Sequence, residues 1–276
     1  MNNLHRELAP ISDGAWAQIE AEATRTLKRY LAGRRVVDVP EPRGPCLAGI
    51  GTGHVRPLQS LDDGVQAVQR DVRPLVELRV PFELSRDQID AVECGSLDSD
   101  WSPVKEAARK IAFAEDRVVF DGYPAAGIAG IRQGSSNRPV DLPNDVGGYP
   151  EAVALATKAL RLAGCDGPYA LVLGADAYTA ASGGSDDGYP VLHHLERIVD
   201  GGVIWAPAIE GGFVLTTRGG DFELALGQDH SIGYLDHSPS VVRLYLQESF
   251  VFRALTAEAS VVLDRSDAQR SGPVAA

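Results

Sequence analysis

Residues 218 to 234 read RGGDFELALGQDHSIGY, a stretch with paired glycines, three acids and a histidine. Those residue types could hold a metal ion or cradle a phosphate. A metal needs His, Asp or Glu at spacings that converge, and a phosphate needs a glycine turn that opens a helix. The spacing meets neither demand. Gly219, Gly220 and Asp221 are turn residues between apolar runs at 213–217 and 222–226, where Phe222, Leu224 and Leu226 alternate with Glu223 and Ala225. Gly227, Gln228 and Asp229 read as a second turn before Ile232 and Tyr234. Strand, turn, strand, turn, strand accounts for every glycine and acid.

The remaining chemistry-bearing groups fare no better. GIGTGHV at 49–55 has the glycines of a dinucleotide loop, but the residues after it read as a strand where that motif needs a helix. His193 and His194 are adjacent, so a helix points them to different sides, whereas helical zinc ligands stand four apart. Glu196 and Asp200 come within reach of one of them, with no third ligand at a suggestive spacing. GGSDDG at 183–188 lacks the GxSxG elbow of a serine nucleophile and reads as an exposed loop. Asp98, Asp100, Glu115 and Asp116 qualify as acid and base by residue type alone. No catalytic residue, metal ligand or cofactor is expected.

The elements that surround these groups are clearer. Ser12 or Asp13 caps a helix whose apolar stripe is Trp16, Ile19, Ala23, Leu27, Tyr30 and Leu31, with Gly33 at its end. From Cys46 to Leu84 there is no helical period. Val76, Leu78, Val80, Phe82 and Leu84 alternate with Glu77, Arg79 and Glu83, and LDDG at 61–64 supplies a turn. This predicts a hairpin with very long arms, and an arm of some twenty residues would reach roughly 60 Å. Such a ribbon must project, and it exposes pairing edges that want another subunit. Ser102 as N-cap and Pro103 open a helix with the stripe Val104, Ala107, Ala108, Ile111, Ala114 and Val118, ended by Gly122 and Pro124. A loop-rich stretch, 125–148, leads to a helix from Pro150 to Gly164. Strands are expected at 169–173, 203–206, 213–217, 241–255 and 259–263, with a helix at 191–199. The class is α+β.

Totals narrow the partners. A net charge of -12 over 276 residues argues against a nucleic-acid surface, which needs clustered Lys and Arg. No run approaches 18 apolar residues, and the N-terminal residues show no secretory h-region, so a cytosolic protein without a membrane span is expected. Cys46, Cys94 and Cys165 are odd in number and far apart, as reduced thiols would be.

Several blocks, in order, resemble one family. RGGDFELALGQDHSIGY with VRLYLQESFVF after it, NNLHRELAPISDGAWAQIEAEATRTLKRYLAGRRVVDV at the start, PFELSRDQIDAVECGSLDSDW, GPYALVLGADAYT, DDGYP and VIWAPAIEGGFVLTTRGGDF are similar to the encapsulin shell proteins (family 1, linocin-like). The resemblance implies an HK97 bacteriophage capsid-like fold with an N-terminal helix or arm at 1–40 and an extended loop at 41–85. It implies a peripheral domain at 86–126, with its spine helix, completed by 226–264, and an axial domain at 127–225. The polar tail, 265–276, is expected to be disordered.

The resemblance also implies a function. Sixty copies would close into an icosahedral nanocompartment and enclose cargo enzymes, a dye-decolourising peroxidase or a ferritin-like iron protein, by their C-terminal peptides. That implies roles in oxidative stress and iron storage, in the bacterial cytoplasm, for a shell that is itself no enzyme. By resemblance, Leu27, Tyr30, Leu31, Arg34, Asp38, Ile232, Tyr234, Leu244 and Leu246 would bind the cargo peptide, and Gly184, Ser185, Asp186, Asp187, Gly188 and Tyr189 would line a five-fold pore. The same apolar side chains would serve equally to glue helix to sheet. The rival readings are a phage major capsid protein, which usually carries a scaffolding segment before its shell domain, and a secreted bacteriocin or protease, for which no secretion or catalytic feature is present. A ferritin-like enzyme would need four helices with Glu-x-x-His pairs, and none appear.

Overall fold

The computed structural model describes residues 3–186 and 188–264. Its helices are α1 (Asp13–Tyr30), α2 (Arg86–Glu93), α3 (Ser102–Asp121), α4 (Ile131–Gly134), α5 (Tyr149–Leu162), α6 (Ala175–Gly183) and α7 (Val191–Ile198). Its strands are β1 (Gly49–Leu58), β2 (Ala67–Pro74), β3 (Val76–Ser85), β4 (Val140–Asp141), β5 (Tyr169–Leu173) and β6 (Ser185–Asp186), then β7 (Tyr189–Pro190), β8 (Val203–Trp205), β9 (Gly212–Thr216), β10 (Phe222–His237), β11 (Val241–Ala254) and β12 (Ser260–Asp264). The polar tail at 265–276 and Asp187 of the expected pore loop lie outside the described residues. The chain folds as two units, one from residues up to Thr24, Val39–Ile111 and Leu224–Val251, the other from Arg25–Asp38, Ala112–Glu223 and residues from Phe252.

In the first unit, α1 begins where the sequence places it. The Ser12 hydroxyl accepts the Ala15 N–H at 3.2 Å, and Trp16, Ile19 and Ala23 bury their side chains at helical spacing. Helix α3 begins at Ser102, one step earlier than expected, because the Asp100 carboxylate accepts the Ser102 N–H at 2.9 Å. That hydrogen-bond pair with Ser102 also holds the Asp100 carboxyl below its usual range. Strands β10, β11 and β3 form a three-stranded sheet in that order, and β3 runs antiparallel to β11 from Val76↔Phe250 to Ser85↔Val241. Along β3 the expected alternation holds, since Phe82 and Leu84 are buried while Glu77, Arg79 and Glu83 are exposed.

Two expectations change here. The long hairpin is split at Leu75, so β1 and β2 alone form the ribbon while β3 leaves it to pair with β11. An arm of ten residues reaches roughly 33 Å, half the expected length. The second turn, at 227–229, does not exist, because β10 runs unbroken through it to His237. Gly227 is there for close approach: a Cβ on it would lie 2.5 Å from Ser249 Oγ and 2.8 Å from Leu75 Cδ2, while its carbonyl accepts the Gly44 N–H at 2.7 Å.

The second unit holds a mixed five-stranded sheet in the order β4-β12-β9-β5-β8. Of its inner strands, β5 and β9 are buried at every position, as strands covered on both faces must be. Phe120 of α3 stacks on Phe213 of β9 at 5.2 Å, and α5 packs on β9 and β12. The turn at Gly219–Gly220 is present, with φ of 88° and 83°. It does not close a hairpin, because β9 and β10 belong to different sheets. Gly33 starts a 3-10 turn, Gly33–Arg35. A Cβ there would meet Asp116 Oδ1 at 3.1 Å, which is why the position takes no side chain.

Candidate functional site

The end of α1 brings five of the cargo-peptide positions into the second unit. Leu27 is buried. Tyr30 and Leu31 are half-buried, and the Tyr30 ring lies edge-on to Phe113 at 5.6 Å, tilted against Trp205 at 5.8 Å, with the Arg29 guanidinium 5.8 Å from its centre. Phe113, Trp205 and Arg29 complete an aromatic cluster that the resemblance did not name. Their positions, spread over three elements, give no sequence spacing that could reveal it.

Arg34 and Asp38 act within the subunit. The Arg34 guanidinium forks onto the fully buried Glu115, with Nε–Oε2 at 2.9 Å and Nη2–Oε2 at 2.6 Å. Asp38 accepts the Gly220 N–H at 2.6 Å, and its own N–H donates to the Phe222 carbonyl at 2.9 Å. Beside the fork, the buried Asp116 accepts the N–H of Gly33 at 2.8 Å and of Ala32 at 3.0 Å. Burial pushes its carboxyl up to about 7, against the pull of those two amides, with Glu115 raising it further and Arg34 lowering it. Glu115 and Asp116 thus serve as anchors for the turn after α1.

The other four positions lie in the first unit. Ile232, Leu244 and Leu246 are buried. Tyr234 is half-buried, its N–H donating to the Leu4 carbonyl at 2.8 Å and its hydroxyl 2.5 Å from His237 Nδ1. Of the nine, Tyr30, Leu31, Arg34, Asp38 and Tyr234 therefore keep exposed surface, while Leu27, Ile232, Leu244 and Leu246 fill the core.

The described residues among those expected at a pore form a miniature hairpin. Ser185 pairs with Pro190 and Asp186 with Tyr189, and Gly188 takes φ of 84°. Gly184 packs against Val146, and Asp187 is outside the described residues. Tyr189 is exposed and leans on the His194 ring at 4.6 Å, while His193 Nδ1 is 3.2 Å from Glu196 Oε2. Both rings lie near Tyr189, His193 at 6.4 Å between ring centres.

The remaining candidates are structural. Asp98 bonds the Ser96 hydroxyl at 2.9 Å, in a different unit from Glu115 and Asp116. In the opening stretch, Asp221 is clasped by Arg218 at 2.9 and 3.0 Å, and His230 lies half-buried in β10 between Asp229 and Glu248, 3.3 and 3.4 Å away. A cleft of about 820 Å³ in the second unit has both its arginines engaged, Arg132 by Asp121 and Asp264 and Arg117 by the Ala208 carbonyl. No helix among the described residues is long and apolar enough to cross a membrane.

The ribbon is the conspicuous surface. Strands β1 and β2 pair only with each other, and Val55, Leu58, Leu61, Val65, Val68 and Val72 are all exposed, Leu61 by 90%. Six large apolar side chains on a two-stranded ribbon form a patch of the kind that marks an interface.

Residues 1–251 match the linocin family, described as an encapsulating protein for peroxidase. A type 1 encapsulin shell protein of Rhodococcus erythropolis is 59% identical over 263 residues, 95% of this chain and 100% of that one, and one of Mycobacterium tuberculosis is 58% identical over 95% and 99%. Among solved structures, the virus-like particle of Pyrococcus furiosus superposes with a TM-score of 0.64 at 18% identity, covering 90% of this chain and 99% of that one. A Mycobacterium phage Bobi structure gives 0.55 at 13% identity, over 86% and 90%. At such identities the likeness to the particle and the phage is one of fold, and that fold is the HK97 capsid fold. With its structural role given by relatives that match 95% of it, the chain belongs to the type 1 encapsulin shell proteins.

Proposed function

We propose that sixty copies of this chain close into an icosahedral compartment in the bacterial cytoplasm and enclose cargo enzymes, a dye-decolourising peroxidase or a ferritin-like protein, by their C-terminal peptides. The observation that carries the assembly is the apolar ribbon, whose exposed valines and leucines would be buried against other subunits. On this reading residues 41–85 are the extended loop, 86–126 with 226–264 the peripheral domain, and 127–225 the axial domain. The hairpin at 184–190 lines the five-fold pore and admits small substrates, and the shell supplies confinement and no catalysis. For cargo, Tyr30 and Leu31 of the second unit offer apolar surface to a peptide, with Asp38 exposed to fix a charged residue, and Tyr234 offers such surface within the first unit. Leu27 lies in the core beneath the former, and Ile232, Leu244 and Leu246 in the core of the first unit.

The test is co-expression with a fluorescent protein that ends in the C-terminal peptide of a dye-decolourising peroxidase. Fluorescence should travel with large particles, and Tyr30→Asp should cut the loaded fraction about tenfold by placing a charge among the aromatic rings. Particles that stay empty with the wild-type shell would refute the cargo assignment.

A further inference from the structure

The N-terminal segment of the first unit sits on one of the positions expected for cargo. Strand β10 ends its three-stranded sheet, so one of its edges has no strand partner there. Near its start, the N–H groups of Arg43 and Gly44 bond the Leu226 and Gly227 carbonyls. Farther along, the Leu4 carbonyl accepts the Tyr234 N–H at 2.8 Å and the Asn3 carbonyl accepts the Tyr245 hydroxyl at 3.2 Å. Asn3 Nδ2 also donates to Gln228 Oε1 at 2.8 Å. Arg6 then lies over the Trp16 ring at 4.1 Å and reaches Glu20 at 2.5 Å.

These anchors are polar, and none of residues 3–8 is buried. Leu8 is 62% exposed. His5 takes φ of 50°, a left-handed backbone that costs energy at a residue with a Cβ. A cleft of about 520 Å³ opens between this segment and α1, lined by Glu7 and Ala9 on the one and by Trp16 and Ala17 on the other. A segment with few buried contacts, a strained residue and space beside it belongs to the part of a fold that opens most readily.

The donors that the segment satisfies identify what can replace it. Tyr234 N–H and the Tyr245 hydroxyl take the carbonyls of two consecutive residues, which only a polypeptide backbone presents in that order. The Tyr245 side chain is buried, so losing the Asn3 carbonyl without a substitute is costly. A second chain laid along β10 in extended form restores both bonds.

We propose that residues 3–8 are a displaceable strap, which holds the Tyr234 edge of β10 in an empty subunit and yields it to an extended cargo peptide. The inference rests on the cargo reading and adds competition within the subunit to it. Its test is hydrogen exchange, read by mass spectrometry, on full-length shells that are empty or loaded with a fluorescent protein ending in the C-terminal peptide of a dye-decolourising peroxidase. The Leu8 and Ala9 amides, which bond the His5 and Arg6 carbonyls, should exchange faster in proportion to the cargo loaded. At limiting cargo the double variant Asn3→Ala/Arg6→Ala, which loosens the strap, should load about threefold more than the wild type. If that variant fails to fold, exchange in the wild-type shell decides alone. Loaded shells whose strap exchanges as slowly as in empty ones, or a folded double variant that loads no more than the wild type, overturn the strap and leave the cargo reading standing. Wild-type shells that take up no cargo overturn both.

Discussion

Asp116 shows how one buried carboxylate can tie the turn after α1 to pH. It holds the Ala32 and Gly33 amides, and so fixes the turn after Tyr30 and presents Arg34 to Glu115. Folding raises its carboxyl from 3.8 to about 7, chiefly through burial. Between those values the folded chain keeps a proton that the unfolded chain has released. Stability from this group is therefore present in full below 3.8, falls as pH climbs towards about 7, and is level above. The thermal midpoint of the wild-type chain should drop across that window more than that of Asp116→Asn, which cannot ionise. Equal slopes in the two proteins would contradict the assignment. The sequence offered Glu115 and Asp116 as an acid–base pair, and nothing in their spacing could say that Arg34 and two backbone amides had already claimed them.

Elements were legible wherever their pattern is local. The stripe from Trp16 to Leu27, the helix from Ser102 and the alternation from Val76 to Leu84 all form as their periodicity dictates. Pairing was less so, because the partner of β3 is β11, some 160 residues away, and no local pattern names it. The false turn at 227–229 has the same root: a glycine needed for close packing looks identical in sequence to one needed for a bend. Gly227→Val should therefore destabilise the chain by about 2 kcal/mol, measured by denaturant unfolding of the subunit, by overpacking Ser249 and Leu75. An unchanged midpoint would show that β10 can bend there. Excising residues 52–71 and closing the gap with a short glycine linker should leave the β10-β11-β3 sheet folded, seen as a retained circular dichroism spectrum, while the product elutes as small species. Normal particles from that variant would remove the ribbon from the assembly.

At the scale of the whole molecule, 276 residues with a net charge of -12 build two units whose exposed features are an apolar ribbon, a half-buried aromatic face and the small hairpin at 185–190. Family membership was readable from ordered sequence blocks, whereas the split of nine docking positions into surface and core was not, because burial depends on packing that the blocks do not record. Closure into a shell is the claim on which the rest depends, and charge-detection mass spectrometry of the purified protein tests it most directly. Sixty chains of 29.4 kDa predict a uniform particle of roughly 1.8 MDa before cargo. A single subunit or a small oligomer at the same concentration would contradict the account.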